Sequence, residues 1–250
     1  MKIQSERKVA GTLRELRRYP VKGMAAEEMD EALVTFAGIL GDRVYAFADP
    51  SKHTDFPWVT ARTWPRMILL KTRFSGPAPT SEGYPNAASF QCHVIAEDGR
   101  TFNVNDAALR EHLAGKFGHA LEFRFSERSM QDSRPLSIFG TKTLAGLCAE
   151  TGVKPDARRF RANLVVDWTN GGERYEDSLI GKRVKIGERV ELMISKRDMR
   201  CKIITLDPET ADATPKVLEV VAKQYEGYAG VYAVVLREGV IRRGDEVFVE

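Results

Sequence analysis

The sequence predicts an α+β protein that is mostly β: a β-barrel-type core with peripheral helices, and a smaller N-terminal mixed α/β region. Three observations carry this. Apolar segments are short and bounded by turn residues, as strands are. Only three segments show helical periodicity. No two glycines stand two positions apart, so GxGxxG is impossible, and GxxxxGK[ST], GxSxG and HExxH are also absent. The standard dinucleotide, P-loop, hydrolase-elbow and zincin signatures are thereby excluded.

Taken in order, Glu31–Phe36 and Arg43–Ala48 read as strands around the turn Gly38–Asp42, and Met67–Phe74 as a third. Gly76–Ala88, rich in Pro, Gly and Ser, reads as an exposed loop. Phe90–Ala96 and Thr101–Val104 flank Asp98-Gly99, which predicts a type I′ hairpin, a turn needing φ > 0 at both central residues. Asp106–Phe117 repeats Leu109, Leu113 and Phe117 at helical spacing behind an Asn105 or Asp106 cap. The polar stretch Ser126–Arg134 marks a boundary between domains 1–125 and 126–250. Lys142–Thr151 is a second helix, with Leu144, Leu147 and Cys148 inward and Gly152 as its stop. Asn163–Asp167, Val184–Ile186, Arg189–Lys196, Val231–Arg237 and Glu246–Val249 read as strands. Thr214-Pro215 opens a third helix, with Thr214 as cap and Leu218, Val221, Ala222 and Tyr225 on its core face.

Composition narrows the class. The chain has 250 residues and a net charge of +3, too small to announce a nucleic-acid binder. The longest apolar run, Val231 to Leu236, is far short of a membrane span, and the polar N-terminus has no secretory apolar segment. Three cysteines without a CxxC point to a reducing, cytoplasmic setting. The charge is uneven: residues 1–24 carry seven basic and two acidic side chains, and residues 156–202 carry twelve and eight. Two separated basic blocks can converge on one anion.

Among the cysteines, Cys148 falls on an apolar helix face and Cys92 in a strand, both as inert core thiols. Cys201 differs: Lys196, Arg197, Arg200 and Lys202 lie within five residues of it. Positive charge favours the thiolate, the form that attacks electrophiles and binds soft metals.

Tyr19-Pro20-Val21-Lys22-Gly23, Gly41-Asp42-Arg43, Val59-Thr60-Ala61-Arg62, Arg159-Phe160-Arg161-Ala162-Asn163, Arg200-Cys201 with Thr205-Leu206-Asp207-Pro208, and Gly230-Val231-Tyr232 follow one another in order. In this series the chain resembles the MOSC-domain proteins, specifically the two-part kind with an N-terminal β-barrel-like region, as in the mitochondrial amidoxime-reducing component and its bacterial relatives. The resemblance implies a molybdenum cofactor, a pyranopterin dithiolene with a phosphate tail, with Cys201 as the protein ligand to the metal and the catalytic centre. It implies that Lys22, Gly23, Arg43, Arg62, Thr141, Arg161, Asn163 and Arg200 contact the cofactor. Pyridoxal phosphate binding belongs to the family's description only. The implied reaction is a two-electron reduction of N-hydroxylated or related N-oxygenated compounds. Its electrons would come from a separate ferredoxin, flavodoxin or cytochrome b5-like protein, and the expected state is a cytoplasmic monomer. The alternative is a sulfur or cofactor carrier using a Cys201 persulfide. Two positions depart from the family's pattern: Gly23 where many relatives have Ser, and Ile204 where they often have Thr.

Overall fold

The structure, a computed structural model, describes residues 8–76, 89–133 and 135–250. The expected loop Gly76–Ala88 lies almost wholly outside them. The first half contains β1 (Val9–Arg18), β2 (Glu27–Glu28), β3 (Glu31–Thr35), β4 (Gly38–Ile39), β5 (Tyr45–Ala48), β6 (Lys71–Ser75), β7 (Gln91–Ile95), β8 (Thr101–Asn103), α1 (Ala107–Phe117) and β9 (Glu122–Phe125). The second contains β10 (Leu136–Gly140), α2 (Thr141–Thr151), β11 (Leu164–Trp168), β12 (Arg183–Ile186), β13 (Val190–Met199), α3 (Lys216–Gln224), β14 (Tyr228–Arg237), β15 (Gly239–Arg242) and β16 (Glu246–Val249).

Seven strands close a barrel in the order β1-β11-β10-β14-β13-β12-β16 and back to β1. Closure removes the exposed edges that an open sheet would leave. Leu13, Leu16, Leu136, Ile138, Leu164, Val166, Ile186, Leu192 and Val231 are buried together in the core of the barrel. Burial of each such side chain is worth about 1.5–3 kcal/mol. Within the barrel, β10 and β11 pair in parallel. A parallel pair needs a crossover, and α2 supplies it. Helices α2 and α3 pack together through Leu147, Cys148, Val217 and Val221 in a second core that includes Phe139 and Phe160. A third core, with Phe47, Met67, Leu70, Cys92, Val94, Leu109 and Leu113, joins α1 to β5 and the β6–β8 sheet.

The mostly-β class with a barrel core is the one observed. Strand pairing crosses the expected boundary at 125/126 in both directions: β1 closes the barrel built by the second half, and β15 pairs with β3. Three local expectations need correction. Met67–Phe74 is not one strand. A 3-10 turn over Pro65–Leu69 precedes β6 and buries Met67 and Ile68 in succession, which strand alternation could not do. At Asp98-Gly99 only Gly99 has φ > 0, and Gly99 N–H donates to the Ala96 carbonyl, so the loop is not type I′. Helix α3 starts after Pro215 and buries Val217, Val220 and Val221, while Leu218 is half-buried and Ala222 exposed. Contact with α2 sets that face.

Cys148 is 4% exposed on the inner face of α2, as its helical spacing predicts. Cys148→Ala should lower stability by about 1 kcal/mol through a small cavity, read as a lower urea midpoint at unchanged slope. An unchanged midpoint would place the thiol outside the core.

Candidate functional site

A cavity of about 640 Å³ opens where the end of β13 meets the chain after β1 and the loop before β10. A regular strand presents alternate residues to one side, yet every residue from Ser195 to Cys201 contributes to the cavity wall. Register shifts at Ile194/Lys196 and at Arg197/Met199 make this possible, because each bulge re-aims the strand. Eight cations line the cavity, Lys22, Arg43, Arg62, Arg159, Arg161, Lys196, Arg197 and Arg200, against two carboxylates, Asp132 and Asp198.

Among the described residues, Arg161 pairs with no acid. Arg161 donates to the Met24 carbonyl at 2.8 Å. It and Arg43 both lie against the Tyr19 ring, with guanidinium carbons 4.4 and 4.6 Å from its centroid. Arg43 also pairs with buried Asp42 and donates to the Arg161 carbonyl at 3.2 Å. Burial first, then the neighbouring Arg43 charge, pushes Arg161 down to about 10. Its charge is therefore incompletely offset, and an anion would offset it.

Asp132 bridges Lys22 and Arg62, the latter at 2.6 Å. Lys22 also donates to the Met130 carbonyl at 2.6 Å, and desolvation lowers its pKa despite Asp132. Arg62 and Cys201 line the same cavity, so the thiol faces the cationic cluster. Asp132 was absent from the sequence-predicted set. The only signal was one acid in a polar stretch, which reads as a domain boundary. Asp198 and Tyr232 were missed too. Asp198 is 3% exposed and pairs with Arg200 at 2.8 Å; burial pushes its carboxyl up.

Lys22, Gly23, Arg43, Arg62, Arg161, Asn163, Arg200 and Cys201 all line this one cavity, but two of them serve the scaffold first. Arg200 donates to the carbonyls of Ala229 and Phe160, each at 2.7 Å. Its guanidinium thus orients the residue next to it, Cys201. Gly230 makes room for this: at φ +76, a Cβ there would meet the Ile138 carbonyl at 2.8 Å and Arg200 at 3.2 Å. Arg159 similarly holds the Thr205 carbonyl at 2.9 Å behind Cys201. Asn163 accepts from Ser137 Oγ at 3.1 Å and donates to the Arg17 carbonyl at 3.2 Å, so its amide is largely engaged. Gly23, at φ +89, contributes backbone to the wall.

Thr141 stands apart from this cavity. Its hydroxyl donates to Asp167 at 2.9 Å, and it does not line the cavity. The start of α2 has its own anion-type partner, the buried Glu176 carboxyl, which accepts from Gly140 N–H at 2.9 Å. Among the described residues, no three His, Cys, Asp or Glu side chains gather to hold a metal ion. A metal in this cavity would have Cys201 as its protein donor and take its other donors from the group that brought it.

The MOSC domain profile matches residues 126–248, and the MOSC N-terminal beta barrel domain profile matches residues 10–111. Among solved structures, the YuaD protein from Bacillus subtilis aligns at a TM-score of 0.52 and 16% identity, over 98% of this chain and 97% of that one. YiiM from Geobacillus stearothermophilus aligns at a TM-score of 0.38 and 18% identity, over 46% of this chain and 54% of that one. No curated protein matches the sequence.

If Asp132 sits where an anion would bind, Asp132→Asn should tighten inorganic phosphate binding to the cofactor-free protein by about tenfold, or ~1.4 kcal/mol. Titration calorimetry measures this. Unchanged or weaker binding would show that the carboxylate does not compete for the seat.

Proposed function

The chain belongs to the MOSC-domain family, whose members bind the molybdenum cofactor, and from that premise we propose that this cavity holds the cofactor and reduces N-hydroxylated or related N-oxygenated compounds by two electrons. One observation carries the reading: Cys201 shares a cavity wall with Lys22, Arg43, Arg62 and Arg161. A thiol is the donor that a soft metal prefers, and clustered guanidinium groups suit a phosphate. The orphaned buried Nε of Arg62 and the partly uncompensated Arg161 fit an anionic group. When bound, the cofactor supplies the two-electron redox centre.

The chain's own residues do the rest. Lys22, Arg62, Arg43 and Arg161 hold the anionic cofactor, and Asp132 gives up its contacts to it. Arg200 and Arg159 fix the backbone on either side of Cys201, so the thiol keeps one direction. Reduction of R–NHOH with two electrons and two protons gives R–NH2 and water. Electrons come from a separate protein of the ferredoxin, flavodoxin or cytochrome b5 kind. No helix among the described residues is long and apolar enough to cross a membrane.

Cys201→Ser should leave the fold intact and abolish benzamidoxime reduction by reduced viologen. Protein made in a cofactor-competent host should carry one molybdenum per wild-type chain. Activity within about twofold of wild type, a loss of only ~0.4 kcal/mol of transition-state stabilisation, would remove Cys201 from the metal.

A further inference from the structure

The mouth of the cavity differs from its floor. The floor cations, Lys22, Arg43 and Arg161, are the ones that the cofactor reading uses. At the mouth, Met199 is 68% and Ile180 42% exposed, beside the half-buried Tyr228. Apolar side chains this exposed beside a cavity mark a contact surface for an apolar body. Two cations accompany them. Arg197 is engaged: it pairs with Glu226 at 2.9 Å and lies 4.2 Å over the Tyr228 ring. Lys196 is exposed and lines the cavity. Among the described residues its one recorded contact is the Tyr232 ring, 5.8 Å from its ammonium.

Among the described residues, the acid at this mouth, Glu226, is already paired with Arg197 and Arg174. The two acids in the cavity wall are already committed, Asp132 to Lys22 and Arg62, and Asp198 to Arg200. A cationic substrate would meet the ammonium of Lys196, which pairs with no acid among the described residues. An anionic substrate would gain the ammonium of Lys196.

We propose that the substrate is an N-hydroxylated compound bearing a carboxylate, with its apolar part against Met199, Ile180 and Tyr228 and its carboxylate at Lys196. This rests on the reductase reading for the reaction, but the charge selection stands apart from it. Lys196 lies outside the floor cluster and is exposed, so its substitution leaves the fold and the cofactor contacts alone.

The test uses cofactor-loaded protein and three probes of one shape: 4-carboxybenzamidoxime, benzamidoxime and 4-(aminomethyl)benzamidoxime. Binding is measured by calorimetry, and KM is measured separately with reduced viologen. The anionic probe should bind about fivefold tighter than the neutral one, the size of one partly solvated ion pair, and the cationic probe weakest. Lys196→Glu should reverse the order, Lys196→Gln should flatten it, and raised salt should shrink it. Binding that is blind to probe charge, or an order unchanged in Lys196→Glu, overturns the proposal. If the order and its reversal appear in binding while no probe is turned over, the charge selection holds and the reductase reading falls.

Discussion

The structure depends on holding several positive charges close together without neutralising all of them. Like charges a few ångströms apart in a partly desolvated cavity repel strongly. The chain meets this with carboxylates on Lys22, Arg43, Arg62, Arg159, Arg197 and Arg200, and with dipoles and ring faces besides. Backbone carbonyls of Met24, Arg161, Phe160, Ala229 and Thr205 accept from Arg161, Arg43, Arg200 and Arg159. The Tyr19 ring lies between two guanidinium groups. This arrangement keeps the cations charged and directed while leaving Arg161 incompletely compensated, as its depressed pKa records. Asp132, drawn onto Lys22 and Arg62, relieves part of the repulsion until another anion replaces it.

The barrel makes that crowding possible. Strand β1 joins the second half of the chain through β11 and β16. Closure therefore brings Tyr19 and Lys22, just beyond its end, against Arg161 and Asn163, just before β11. On the opposite wall, the bulged end of β13 turns consecutive side chains toward the same space. The Arg200 and Arg159 clamps then convert a strand end into a fixed platform for Cys201. Its neighbour Ile204 is buried against the helical core and does not supply a hydroxyl to the cavity floor.

Much of this was legible in the sequence. Helices α1 and α2 showed in the spacing of their apolar residues, and the barrel class showed in short strands and frequent turns. Strands β1, β9 and β10 did not stand out. β1 is crowded with arginines whose role depends on partners far along the chain. β10 is buried at every position, so it shows no alternation. The cationic residues and Cys201 were legible as a motif series, and the structure brings them to one cavity. Thr141 was not, because a free helix start and one already taken by Glu176 look alike in sequence. Asp132 was invisible for the converse reason: a single acid in a polar loop gains meaning only from the two cations it meets in space.

Of the three cysteines, Cys201 lines the cavity, while Cys92 and Cys148 are buried in cores. Iodoacetamide labelling of the native protein, read by mass spectrometry with and without bound cofactor, tests this most directly. The account predicts that Cys201 alone is alkylated in the cofactor-free protein and that loading the cofactor protects it. Equal alkylation of Cys201 in the loaded and cofactor-free protein would contradict the account.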